Sequence, residues 1–265
     1  MEVNVGRSQT VHMILNAYRY DESLGFIVYA PRGFGKSSWS FKVGAKVVGR
    51  ESEPDYERLK KWIWFTPQEF CEVVTHTTER TIIGIWEDAG YWLNRLFWYD
   101  EFVREALRYM TLQRTQFAAI IFSTPSLTLL PNKILELEDV YRVKIYKQDA
   151  HGNPVTDENT SGKPRAAVVK KPWYSDDLKR HGSSHVWTDL FSALMPDDFY
   201  KWYLPIRQGY VKMAAMRIQE AIQRSKGASI KMKLEEIEEE LGHGHSIPDL
   251  EQVQDFKEVV NQFDK

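Results

Sequence analysis

The chain has 265 residues, 43% of them hydrophobic and 27% charged, with a net charge of −2. This is enough chain for one large domain with appendages, and a single cysteine, Cys71, excludes a disulfide framework and fits a reducing interior. No apolar run is long enough to cross a bilayer and no signal-peptide pattern is seen, so a cytoplasmic protein without a membrane segment is expected.

Val11, Ile14, Leu15 and Tyr18 recur at i, i+3, i+4 and i+7, which predicts a helix ahead of the first strand. Residues 24–30 read as an apolar strand that opens into Ala30-Pro31-Arg32-Gly33-Phe34-Gly35-Lys36-Ser37. A phosphate cradle needs inward-pointing backbone N–H groups, a helix N-terminus behind them and a lysine that reaches the β- and γ-phosphates. The pattern that supplies these is G-x-x-x-x-G-K-[ST], here with Ala30 in place of the first glycine. Gly33 and Gly35 give the permissive backbone, Lys36 holds phosphates, and the Ser37 hydroxyl holds Mg²⁺. Residues 30–38, with Ser38 at the end, are the expected ATP-binding set. Trp39, Val43 and Val47 follow at helical spacing, and that helix runs to about Val48.

"GRESEPDYER" reads as a polar loop, "KWIWF" (61–65) as a second strand, and Pro67 as the start of a helix. Residues 81–88, "TIIGIWED", read as a buried parallel strand ending in two acids. One acid holds the Mg²⁺ shell and the next orients or activates water. Glu87 is assigned to metal and Asp88 to water, although the pair runs Glu-Asp instead of the usual Asp-Glu, which leaves the two roles exchangeable. The bland alternative is an acid pair that caps Ala89-Gly90.

Residues 100–116 read as a helix and 117–126, "FAAIIFSTPS", as another buried strand closing in Ser123-Thr124. Ser123 or Thr124 could sense the γ-phosphate or position water; a hydroxyl that only caps the strand end is the alternative. "VYRVKIYK" (140–147) alternates as a strand, 148–165 is a long polar segment, and "AAVVKKPW" returns as a strand with basic Lys163, Arg165, Lys170 and Lys171. Residues 186–225 read mostly as helix, broken at Pro205. His181 and His185, and His243 and His245, read as loop histidines and not as metal ligands. The tail holds two amphipathic patterns, Leu234, Ile237, Leu241 and then Leu250, Val253, Phe256, Val260.

Alternating strands and helices predict an α/β fold with a mostly parallel sheet flanked by helices. Its ligands belong at the carboxyl ends of the strands, where 30–37, Glu87-Asp88 and Ser123-Thr124 all fall. Two regions are expected: a P-loop ATPase domain over 1–225 and an acidic helical tail over 226–265. The tail holds five lysines against ten acids, and the remainder 30 basic against 27 acidic residues. A mildly basic body permits nucleic-acid binding in a local channel without requiring it.

The order Glu87-Asp88-Ala89-Gly90-Tyr91-Trp92, then Arg114 at a helix end, then "IIFSTPSLTLLPNKIL" (120–135) and "FSALMPDDFYKWYLPIR" (191–207), resembles archaeal plasmid and virus ATPases related to the FtsK–HerA translocases. The likeness covers about residues 10–210. It implies a RecA-like P-loop NTPase fold with a helical C-terminal extension. It also implies a homo-oligomeric ring, hexameric in form, that moves DNA with ATP and Mg²⁺ in an archaeal host cell, encoded by a virus or plasmid. Packaging, transfer and segregation are the settings it suggests. Arg114 is then the candidate for a trans-acting arginine that completes a neighbour's site, against the alternative of a charge complementing its own helix dipole. Two other classes are an initiator or loader ATPase that switches without walking, and a nucleotide-gated DNA-binding protein with little turnover.

Overall fold

In the computed structural model of the protein, the structure describes residues 8–97, 99–135, 137, 139–147, 164–175 and 180–241. The chain divides into two compact units, Met1–Leu204 and Pro205–Lys265. The first is a mixed α/β body around one seven-stranded sheet with strand order β2-β3-β4-β1-β5-β6-β7. The strands are β1 Leu24–Tyr29, β2 Ile63–Trp64, β3 Gly84–Trp86, β4 Ala119–Thr124, β5 Val140–Lys147, β6 Pro164–Ser175 and β7 Arg180–Ser192. The pairs β2–β3, β3–β4, β4–β1 and β1–β5 are parallel, while β5–β6 and β6–β7 are antiparallel.

Central β1 and β4 are buried along nearly their whole length, which is why both read as continuous apolar runs. Gly25 lets β5 pack close: a Cβ there would stand 2.6 Å from Val140 Cγ2. Helix α1 (Gln9–Arg19) starts at Ser8, whose hydroxyl accepts the Val11 N–H. Asp189 of β7 adds to that start, accepting from Gln9 N at 2.9 Å and from Thr10 Oγ1 at 2.5 Å. Helix α2 (Lys36–Val48) follows β1 and buries Trp39, Val43 and Val47, the positions its spacing marks. After the short α3 (Tyr56–Lys60) and β2, α4 (Pro67–His76) opens on a capping box between Thr66 and Glu69, with Pro67 at its first turn.

Beyond β3 come α5 (Ala89–Trp92), a 3-10 turn at Arg95–Phe97, α6 (Glu101–Met110) and a second 3-10 turn at Gln113–Thr115. Beyond β4 come a 3-10 turn at Leu127–Leu129 and α7 (Asn132–Leu135). One core cluster unites this side: Phe70 stacks on Trp86 at 4.7 Å, and Trp64 lies 5.8 Å from Phe117. Each such ring, fully buried, contributes about 1.5–3 kcal/mol.

Several expectations change. Residues 186–192 are strand, not helix: they form the outer part of β7, held by β6 through the register Val169↔Trp187 to Pro164↔Ser192. Strand pairing on one side and Asp189 capping α1 on the other outweigh the helical reading. His181 and His185 therefore lie in a strand rather than a loop. The polar loop before residue 61 contains α3, because Asp55 accepts the Arg58 N–H and caps it. The 100–116 helix stops at Met110, where Thr111 begins a tighter turn. Helix α8 (Asp197–Leu241) runs through Pro205 instead of breaking there. The ring removes one N–H donor without forbidding the helical φ. Residue 225 lies within α8. The long polar tip after β5 and the last amphipathic pattern, with His243 and His245, lie outside the described residues.

Candidate nucleotide-binding site

The carboxyl ends of β1, β3 and β4 share one edge of the sheet, because the three strands are parallel neighbours. Tyr29 hands the chain to the loop. Gly33 (φ +77°) and Gly35 (φ +96°) both take the left-handed backbone, which side chains rarely adopt and glycine adopts freely. A Cβ on Gly33 would meet nothing within 4 Å, so the loop is open there. On Gly35 it would stand 3.4 Å from Ala193 Cβ and beside the Phe191 ring. The Ser38 hydroxyl donates to Ala193 O at 2.8 Å. The segment leaving β7 is thus the wall behind the loop.

Lys36 is buried, and its ammonium donates to Ala30 O at 3.0 Å and Pro31 O at 3.4 Å. It therefore curls back over the loop that it belongs to, as a lysine must in order to face a group cradled there. Pro31 and Arg32 are exposed, and Phe34 lies under the Lys147 ammonium, 4.8 Å from its ring centroid. Burial holds the Tyr29 phenol above its ordinary pKa, against the opposing pull of Lys144, so it stands beside the loop as a neutral hydroxyl.

Glu87 is 1% exposed and ties the strand ends together. The Ser37 hydroxyl donates to Glu87 Oε1, and the Ser123 hydroxyl donates to Glu87 Oε2 at 2.9 Å. Ser123 Oγ also accepts the Asp88 N–H at 2.9 Å. Asp88 itself is half-buried and takes a left-handed conformation (φ +52°). It occupies the position before α5, yet its side chain makes no capping bond to that helix. The expectation of an acid pair that only caps Ala89-Gly90 does not describe this geometry.

Thr124 goes elsewhere. Its hydroxyl donates to Ser126 O at 2.9 Å, and Gly90 lies so close that a Cβ there would fall 2.2 Å from Thr124 Oγ1. Successive side chains of a strand point to opposite faces; here Ser123 is the one bonded to Glu87. Arg114 is also apart. It sits in the 3-10 turn before β4, its carbonyl accepting from Arg80 Nε at 3.0 Å. That is the opposite edge of the sheet, with the six residues of β4 between, a span of about 20 Å.

Tyr203 was not foreseen. It is buried in the first turns of α8, and its hydroxyl lies 3.3 Å from Ser37 Oγ and 3.4 Å from Glu87 Oε1. Its ring packs edge-on to Phe41 at 5.1 Å. No local pattern links it to an acid more than a hundred residues earlier, so only the folded chain reveals it.

The donor set fits a nucleotide with a hard cation. Two left-handed glycines shape an open cradle at the start of α2, and a hydroxyl and a carboxylate already meet at its side. Mg²⁺ takes few protein ligands and keeps phosphate and water oxygens for the rest. Among the described residues, no group of three or more His, Cys, Asp or Glu side chains is placed to hold a metal.

No protein-family profile matches the chain. It is 29% identical over 218 residues to the uncharacterized protein B-251 of Sulfolobus spindle-shape virus 1, covering 79% of this chain and 83% of that protein. Among solved structures, the N-terminal domain of zonular occludens toxin from Neisseria meningitidis overlays with a TM-score of 0.37 at 15% identity, over 68% of this chain and 97% of that one. The genome packaging NTPase B204 of Sulfolobus turreted icosahedral virus 2, solved with ATP-gammaS, overlays with a TM-score of 0.27 at 12% identity, over 68% and 94%. Overlays at these scores carry no functional weight. No helix among the described residues is long and apolar enough to cross a membrane.

Proposed function

We propose that this chain is a P-loop ATPase that acts on DNA as a ring-forming motor, with residues 30–38 as its ATP site. The observation that carries the proposal is the chain Ser37–Glu87–Ser123, which joins the glycine loop, the acidic strand and the next strand in one hydrogen-bonded cluster. Mg²⁺, when bound, neutralises charge on the β- and γ-phosphate oxygens. Ser37 and Glu87, whose hydroxyl and carboxylate already meet, would hold it. Lys36 and the N–H groups of the loop and of the first turn of α2 bind the phosphates. Asp88 orients the attacking water and accepts its proton. Ser123 ties the Glu87 carboxylate to the Asp88 main chain, donating to Glu87 Oε2 and accepting the Asp88 N–H. Because Glu87 is the acid bonded to Ser37, the inverted Glu-Asp order is read as metal first and water second.

The ring, the DNA substrate and a virus- or plasmid-borne setting follow from the motif resemblance, and the setting also fits the similarity to protein B-251. Arg114 lies on the edge away from its own site, so any part it takes in turnover is at a neighbour's site in a head-to-tail assembly. The test is the ATPase rate with and without duplex DNA, on protein whose oligomeric state is measured by light scattering. DNA-stimulated turnover by an oligomer is expected, and directional displacement of a triplex strand separates a motor from a loader. Turnover by a monomer that ignores DNA would overturn the motor reading, and absence of turnover would leave a nucleotide-gated binding protein in its place.

A further inference from the structure

A groove of about 690 Å³ lies beside α6, away from the cradle. Four cations line it: Arg95 from the 3-10 turn after α5, Arg104 and Arg108 from α6, and Lys133 from α7, with Thr111 and Asn132 as neutral donors. Arg104 and Arg108 are one helical turn apart and so share a face. All four cations are exposed. Arg108 is paired with Glu105 at 2.6 Å, while Arg95, Arg104 and Lys133 have no ion pair among the described residues. No described carboxylate lines the groove.

Clustered cations cost self-repulsion unless a polyanion or solvent offsets it. Guanidinium forks match phosphate oxygens in pairs. The walls also have a particular origin. The Arg95 wall follows Glu87-Asp88 after the short α5, and the Lys133 wall follows Ser123-Thr124 after the 3-10 turn at Leu127–Leu129. The two exits touch at Gly90 and Thr124. A polymer held in the groove would therefore bear on the two segments that carry the acid pair and Ser123.

We infer that this groove, lined by Arg95, Arg104, Arg108 and Lys133, binds the phosphate backbone of a nucleic acid. The choice of polymer rests on the DNA-acting reading above; the charge and shape of the groove do not.

The experiment measures binding of a fluorescent single-stranded oligonucleotide, and of its duplex, by anisotropy over a range of salt. The proteins are wild type, Arg104→Gln/Lys133→Gln, and the control Lys170→Gln/Lys171→Gln, which removes the same charge from β6. All positions are exposed or half-exposed, and thermal melting checks that each variant is folded. The groove variant should bind single strand at least tenfold more weakly. Its log–log salt slope should fall by about 1.4, the loss of two single-strand phosphate contacts. The control should stay within about threefold of wild type, and Arg104→Lys should retain most of the affinity. Equal losses in both double variants would mean binding by overall charge and would overturn the inference, as would wild type that binds neither oligonucleotide. Unchanged oligonucleotide binding in the groove variant, with DNA-free ATP turnover reduced, would assign the cations to a nucleotide phosphate and also overturn it. If wild type hydrolyses ATP but binds no DNA, the groove reading fails alone. If it binds DNA through the groove without hydrolysis, the ATPase reading fails alone.

Discussion

The parallel strands β2, β3, β4 and β1 end together and present Lys36, Glu87 and Ser123 along one edge, whereas the antiparallel hairpin β6–β7 returns toward that edge only at its exit. The parallel half holds the residues assigned to phosphate, metal and water. The hairpin's exit holds Ala193 against Ser38 and Gly35, and the first turns of α8 hold Tyr203 against Ser37 and Glu87. The assigned groups thus stand at or just beyond the carboxyl ends of buried strands, while the backing comes from segments distant in sequence. If this division is right, changes in the parallel half remove turnover and changes in the returning segment only tune it.

The acid pair should show the largest effect. Asp88→Asn is expected to bind ATP with Mg²⁺ and to turn over at least ~10²-fold more slowly, the scale for losing a group that handles the nucleophile's proton. Glu87→Gln should instead weaken the Mg²⁺ dependence of binding. Steady-state phosphate release and metal titrations on both variants read this out, and exchanged phenotypes would reverse the roles while keeping the site.

Next in size comes Arg114. Arg114→Ala should keep ATP affinity and lose turnover, since a fixed guanidinium stabilises charge on the transferring phosphoryl group. Mixed with Lys36→Ala protein, it should regain activity, because some interfaces then carry one intact lysine and one intact arginine. Mixed oligomers confirmed by mass spectrometry without any recovery would leave Arg114 as a structural charge at the opposite sheet edge.

The smallest effect belongs to the returning segment. Tyr203→Phe removes one hydroxyl whose bonds are worth about 0.5–1.5 kcal/mol. It should raise the half-saturating Mg²⁺ concentration roughly threefold to tenfold, with turnover at saturating Mg²⁺ and the melting temperature little changed. A change as large as that of Asp88→Asn would erase the distinction between the two halves.

How far these features could be read in advance depends on the same division. Strand β5 spans the same residues as its alternating pattern, and α2 starts and stops at Lys36 and Val48, because alternating burial along a strand and the helical spacing of Trp39, Val43 and Val47 leave their periods in neighbouring residues. Strand β7 hid for the opposite reason. Val186 and Leu190 are exposed while Asp189 is buried, since an inward carboxylate caps α1; hydrophobic alternation has nothing to follow there. In the site, the glycine loop and the acids are contiguous and legible. The choice of Ser123 over Thr124 depends on which hydroxyl meets Glu87, and the position of Tyr203 depends on the return of the chain from the far edge. Neither is encoded locally.

The central claim is that the loop and the acid pair form one ATP-hydrolysing site. Phosphate release from ATP by the wild-type chain and by Lys36→Ala, each with Mg²⁺ and with the metal chelated, tests it most directly. The account predicts multiple turnovers by wild type with Mg²⁺, none when the metal is chelated, and none by Lys36→Ala under either condition. Wild-type-like hydrolysis by Lys36→Ala, in protein free of contaminating ATPase, or release that continues without metal, would contradict it.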